Sequence, residues 1–425
     1  MIGEVVELEV GPVAHGGHCI ARLDGQVVFV RHALPGERVL ARITEGDAGR
    51  SFLRADVVEV RVASPERVRP PCPHAGVCGG CDFQHVTLAE QRRLKAAVVR
   101  EQFQRLARLD LAELGLDPVV EPVPGDADGL GWRTRVEFAV DPATGVAGLR
   151  RHRSHEVVPV ERCLIASPGI TEAAVTDRTW DADSVEVVET SHGQVVVTVL
   201  PSQARRERRI VERVEALDTD LALDARGFWQ VHPGAASTFV DAVLTMLDPQ
   251  PGERALDLYA GVGLFAVALA ERVGPLGQVV AVESDGRATG YARENLAGHR
   301  QALVLDGRVD DLFGVPRHER SGGRRRPARR RRRGVRSPLL PHTASVVVLD
   351  PPRIGAGADV VRAIAALGAR AVAYVACDPA ALARDVATFQ ESGYVLAGLR
   401  CFDAFPMTHH VECVALLTRA DSDAG

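Results

Sequence analysis

A chain of 425 residues with 46% apolar residues, 25% charged residues and 40 glycines has the composition of a globular protein of two or three domains, without a collagen-like period. No uninterrupted apolar run approaches the ~20 residues of a membrane span, and the start Met1-Ile2-Gly3-Glu4-Val5 has no basic leader, so a cytoplasmic protein is expected. The net charge of -5 gives no global reason to expect a nucleic-acid binder, and eight cysteines in that compartment read as metal ligands or nucleophiles rather than disulfides.

Residues 1–61 read as a small all-β unit. Val5–Val10, Gln26–Val30, Arg38–Ile43 and Ala55–Val60 are strand-like, and Gly16-Gly17, Asp24-Gly25, Pro35-Gly36 and Glu45-Gly46-Asp47 punctuate them as turns. About five short strands in so few residues suit a barrel of the oligonucleotide-binding type. The runs Gly11-Pro12-Val13-Ala14-His15-Gly16-Gly17 and Ala33-Leu34-Pro35-Gly36-Glu37 resemble a TRAM domain, which implies RNA binding.

Cys72, Cys78 and Cys81 follow, flanked by Pro70-Pro71 and Gly79-Gly80, which keep the loop irregular so that several thiolates can turn toward one centre. Three such cysteines need a fourth ligand, and Cys163 is the candidate. Zinc takes four thiolates as well, but usually from paired C-x2-C hairpins; a three-plus-one arrangement suits a [4Fe-4S] cluster better. Residues 84–108 read as an amphipathic helix with Arg92, Arg93, Lys95 and Arg100 on its exposed face. Lys95 is the single lysine of the chain. Strand patterns return at Arg135–Val140, Ser184–Val188 and Gln194–Val199 without obvious helices between them, which suggests a mixed or antiparallel sheet and an α+β middle domain over 62–225. Arg133, Arg135, Arg150, Arg151 and Arg153 give this region a basic face suited either to phosphates or simply to solvent.

From about residue 230 the rhythm becomes strand–helix–strand, so 226–420 reads as an α/β, Rossmann-like domain. The strand Ala255–Tyr259 enters the glycine turn Ala260-Gly261-Val262-Gly263-Leu264, and the strand Gln278–Val282 ends in Glu283, placed for ribose hydroxyls. The turn lacks the third glycine of a pyrophosphate-binding loop. Two further buried strands follow: Val346–Leu349 ends in Asp350-Pro351-Pro352-Arg353, and Ala371–Ala376 delivers Cys377 before Pro379. Glu412 opens an apolar run to Leu417, with Cys413 facing the core. Asp350, Cys377 and Glu412 are therefore expected to converge at one edge of the sheet, where ligands bind in such folds. The arginine-rich insertion 317–338 cannot bury a core and is expected to be disordered, either as a tolerated surface loop or as an RNA-gripping arm.

Phe228-Trp229-Gln230-Val231, Asp257-Leu258-Tyr259-x-Gly261-x-Gly263, Asp350-Pro351-Pro352-Arg353, Tyr374-Val375-Ala376-Cys377 and His409-His410-Val411-Glu412 together resemble the uridine-C5 RNA methyltransferases that use S-adenosylmethionine, over nearly the whole chain. The resemblance implies a class I methyltransferase fold. It implies that Gln230, Tyr259, Gly261, Gly263, Glu283 and Asp350 bind the cofactor, that Cys377 is the nucleophile and that Glu412 is the base. It further implies a monomer acting on RNA without a membrane, with a uridine of 23S ribosomal RNA favoured over tRNA by the TRAM-like start and the cysteine loop. A non-catalytic iron–sulfur RNA-binding factor and a cytosine-C5 enzyme are the competing readings. The chain departs from the family pattern at His232 and Asp378, where asparagine is usual, and at Leu264, where a polar residue is common. Arg353 is the group expected to favour the Cys377 thiolate.

Overall fold

The computed structural model describes residues 1–47, 51–201, 208–315 and 334–420. The arginine-rich stretch falls almost entirely on 316–333, outside the described residues. No helix among the described residues is long and apolar enough to cross a membrane.

The N-terminal unit is a six-stranded sheet in the order Val5–Glu9, Arg38–Glu45, Phe52–Val62, Gln26–Arg31, His18–Leu23, Val13–Ala14. Gly11 donates to the Ile20 carbonyl at 2.7 Å and Ile20 to the Pro12 carbonyl at 2.9 Å, which joins the end of the first strand to the far side of the sheet and closes it. Closure removes the exposed edges that a small open sheet would present. Leu8, Val28, Val30, Val39, Ile43 and Leu53 fill the interior.

Five antiparallel strands form the middle sheet, ordered Val157–Pro159, Ala147–Arg150, Arg135–Val140, Ser184–Glu189, Val195–Leu200. The eight-stranded sheet is the largest. Ala302–Asp306, Gln278–Glu283, Arg254–Leu258, Val346–Leu349 and Ala371–Ala376 run parallel; Glu412–Arg419 then pairs antiparallel with Ala371–Ala376, followed by Tyr394–Asp403 and the edge strand Val120–Pro122. The central strands are continuous apolar runs because helices cover both faces. Their side chains alternate between two cores: Ala255, Ala281, Val346 and Val348 face the helices Ala235–Leu247 and Leu264–Val273, whereas Leu256, Val280, Val347 and Tyr374 face Ala358–Ala365 and Pro379–Glu391.

The helix Leu88–Gln102 continues as one π turn, Phe103–Ala107; Arg93 and Arg100 lie on a solvated face, as its charge pattern suggests, but Lys95 does not. Leu94 and Val98 pack into the barrel core, while Ala96, Val99 and Phe103 pack on the large sheet. Lys95, read from sequence as exposed, is 1% exposed. It donates to Asp403 Oδ1 at 2.5 Å and to the Phe405 carbonyl at 3.0 Å, so a helix clamped from two sides has its one lysine paired inside. Residues 88–122, which precede the middle sheet in the chain, thus belong in space to the large one.

Candidate active site

The parallel strands end along one rim, and a cleft of about 1790 Å³ opens there between the large sheet, the middle sheet and the cysteine loop. Gln230, Tyr259, Gly261, Glu283, Asp350, Arg353, Cys377 and Glu412 all line it. Of the residues singled out from sequence, Gly263 alone among those expected at the cofactor does not. It stands at φ +92° before the helix Leu264–Val273, where a Cβ would meet Ala292, and its role is to turn the chain into that helix.

The cofactor end is built on a sharp bend. Tyr259 has φ +65°, an outlier for a bulky residue, held by the bond from the Ala260 amide to the Val282 carbonyl at 2.9 Å. One oxygen of Glu283 accepts the Gly261 amide at 2.9 Å; the other accepts the amides of Ser284 and Asp285 at 2.6 and 2.7 Å. This carboxylate therefore ties the glycine turn to the next strand while facing the cleft. Asp257, buried behind the bend, is pushed up to about 8 by burial, against the pull of the Ala266 amide. Burial likewise pushes Asp350 up to about 7.

The loop after Asp350 is fastened from below. Asp385 Oδ2 accepts the Tyr374 hydroxyl at 2.6 Å and the Ala356 amide at 2.7 Å, and both its oxygens lie 3.3 Å from the Gly357 amide. Tyr374 belongs to the Cys377 strand and Asp385 to the helix that follows it, so the Arg353 loop is fastened to the Cys377 strand.

Glu412 reaches the rim by a different route from Asp350 and Cys377. Its strand is antiparallel to Ala371–Ala376, so its first residue, and not its last, lies where the parallel strands end. Ala376 is opposite Cys413 in that ladder, which sets Cys377 and Glu412 on adjacent, hydrogen-bonded strands. Cys413 itself points into the core, 3.6 Å from Cys401 Sγ. Glu412 is 6% exposed, and burial together with the Asp350 charge raises its carboxyl well above the usual range despite Arg353. Cys377 is half-buried and pushed up to about 12, by burial first and by Glu412 second. The activation expected from Arg353 is present in sign, but too weak to win against these two.

The three departures from the family pattern have structural explanations. His232 is buried against Trp132, ring centroids 5.9 Å apart, and its Nδ1 accepts the Gly234 amide at 3.3 Å. Leu264 belongs to the core of its helix. Asp378 caps the helix Pro379–Glu391 by accepting the Ala381 amide at 2.7 Å.

Cys72, Cys78, Cys81 and Cys163, separated in sequence by up to 91 residues, line one small cavity of about 20 Å³ together with Gln84 and Arg133. All four are free thiols. Among the described residues no three His, Cys, Asp or Glu side chains stand in the arrangement that holds a metal ion. The four cysteines supply a soft, all-thiolate donor set, the ligand type of both zinc and iron–sulfur clusters.

Residues 226–420 match the family described as tRNA (Uracil-5-)-methyltransferase, and residues 1–58 match the TRAM domain. An RNA methyltransferase of Streptomyces avermitilis is 48% identical over 99% of both chains. The 23S rRNA (uracil(1939)-C(5))-methyltransferase RlmD of Acidithiobacillus ferrooxidans is 32% identical over 95% of both. In fold, the chain is similar to the Pyrococcus abyssi tRNA (uracil-54, C5)-methyltransferase in complex with S-adenosyl-L-homocysteine, with a TM-score of 0.66 at 21% identity over 97% of this chain and 100% of that one. With the glycine bend and the cysteine–carboxylate rim in place, the chain belongs to the S-adenosylmethionine-dependent RNA (uracil-C5-)methyltransferases.

Proposed function

We propose that this chain methylates C5 of one uridine in 23S ribosomal RNA, with Cys377 as nucleophile and Glu412 as base. The observation that carries the assignment is the pairing of Ala376 with Cys413, which sets Cys377 and Glu412 side by side on one cleft. Gln230, Tyr259, Gly261, Glu283 and Asp350 hold the cofactor in this reading, with Gly263 shaping the bend. S-adenosylmethionine supplies an electrophilic methyl group on a cationic sulfonium, a charge that favours the anionic forms of its neighbours.

Uracil C5 is too weak a nucleophile on its own. The Cys377 thiolate adds to C6, forming a C–S bond, and the displaced electron pair makes C5 an enolate carbon. Once C5 carries its new methyl group, Glu412 takes the C5 proton, the C5–C6 double bond re-forms and Cys377 leaves as thiolate. A base inside folded RNA must leave its stack to reach this pocket, and a cleft of about 1790 Å³ has the volume to take it.

In chain order the protein divides into an RNA-binding barrel over 1–61, the cysteine loop and middle unit over 62–225, and the methyltransferase unit over 226–420. RlmD, named for 23S ribosomal RNA and matching end to end, favours that substrate; the family description favours tRNA as the second reading. Mapping 5-methyluridine by mass spectrometry in RNA from cells with and without the gene is expected to show one uridine of 23S ribosomal RNA unmethylated. Loss from tRNA alone transfers the assignment to the second reading.

The cysteine cavity we assign to a [4Fe-4S] cluster held by Cys72, Cys78, Cys81 and Cys163, with a structural or RNA-positioning role. Protein purified without oxygen is expected to be brown, to contain iron and sulfide, and to lose both in Cys163→Ser. A colourless protein holding one zinc per chain overturns this.

A further inference from the structure

We infer that the barrel hairpin tip His15–Gly17 is a positioning element of the methyl-transfer site, holding the two turns that carry Cys377 and Glu412. The inference rests on the assignment of those two residues above and adds a role for the N-terminal unit beyond RNA binding.

Two contacts carry it. His15 Nε2 lies 3.0 Å from Asp378 Oδ2, and Asp378 directly follows Cys377. The other oxygen of Asp378 caps the next helix, so the carboxylate is held between a helix start and the hairpin, and the Cys377 backbone between them. Two residues further along the hairpin, Gly17 has φ +76°, and a Cβ there would fall 2.7 Å from the Cβ of His409. Only glycine permits this approach. His409 stands three residues before Glu412 and is fixed from the other side by Asp82 Oδ2, 2.6 Å from its Nδ1. One hairpin thus touches the turn beside each proposed catalytic residue.

Magnitude separates alignment from stability. The His15 side chain is 41% exposed. A pair of that exposure contributes at most about 1 kcal/mol to folding. Misplacing a reacting group by ~1 Å, by contrast, can slow a reaction up to about 100-fold.

The test compares His15→Ala, His15→Gln and Gly17→Ala with the full-length enzyme on its RNA, measuring kcat, KM for RNA and the unfolding transition. His15→Ala is expected to lower kcat about tenfold with KM and unfolding unchanged. His15→Gln, whose amide can still donate to Asp378, is expected to recover most of that loss, and Gly17→Ala to lower kcat by displacing His409. A raised KM with unchanged kcat makes the hairpin an RNA contact only and overturns the inference; so do unaltered kinetics, or a His15→Ala protein that fails to fold. Cys377→Ala, run alongside, is the control for the underlying assignment: if it keeps turnover, that reading falls whatever the hairpin variants do.

Discussion

Cys377→Ala will lose methyl transfer by at least about 10³-fold, and Glu412→Gln will instead accumulate RNA bound covalently to Cys377. The two variants differ because they interrupt opposite ends of one sequence. Without the thiol no C–S bond forms; without the carboxylate the C5 proton stays, and the sulfur cannot be expelled. Denaturing gels with labelled RNA distinguish the outcomes directly, and turnover near that of the unaltered enzyme in Cys377→Ala rejects the mechanism. The electrostatics add a pH arm. With the Cys377 thiol pushed up to about 12, the ligand-free protein holds it protonated at neutral pH. Alkylation at Cys377, followed by peptide mass spectrometry, will therefore quicken about tenfold per pH unit from pH 7 to 9 as the thiolate fraction grows. A plateau below pH 8 would show a thiolate already formed before any ligand arrives.

Lys95→Ala will destabilise the protein by about 3–5 kcal/mol, the largest stability effect expected of any single exposed-looking charge in the sequence. The side chains of Lys95 and Asp403 are 0% and 1% exposed, so removing the ammonium leaves a carboxylate with no water to turn to. Asp403 Oδ2 already lacks a partner, which leaves no reserve. The double change Lys95→Met with Asp403→Leu removes both charges and fills the space, and will recover most of the loss. Urea unfolding of the three proteins measures it; a single variant within about 1 kcal/mol of the parent means that water reaches the pair.

What the sequence discloses here is local pattern, and what it hides is long-range pairing. Asp350, Cys377 and Glu412 were each legible because a buried apolar strand ends or begins at a polar residue, and the rim shared by Asp350 and Cys377 follows from a parallel sheet. The four cysteines were legible by residue type alone, and the structure gathers them around one cavity. Lys95 was misread because charge at helical spacing ordinarily marks a wet face, and its partner lies 308 residues away. His15 and Asp378 are separated by 363 residues, and nothing near either one announces the other. Gly263 was misplaced for a different reason: a glycine turn has two duties, admitting a ligand and starting a helix, and spacing cannot say which glycine performs which. The direction of the final strand was equally invisible, since an apolar run reads the same whether it lies parallel or antiparallel.

Glu121 leaves the ribosome 279 residues before Arg400, the residue that clamps it at the sheet edge through two bonds of 2.9 and 2.7 Å. All six barrel strands are made once Val62 is, whereas the helix beyond them must hold Val99 and Phe103 without a sheet to cover them until the last hairpin emerges. Tyr394–Asp403 brings the seat for that helix and the partner of Lys95, and Glu412–Arg419 brings the carboxylate for the cleft. A chain interrupted just after Cys377 therefore has the six barrel strands and the five parallel strands, but neither the antiparallel pair that seats the helix nor Glu412.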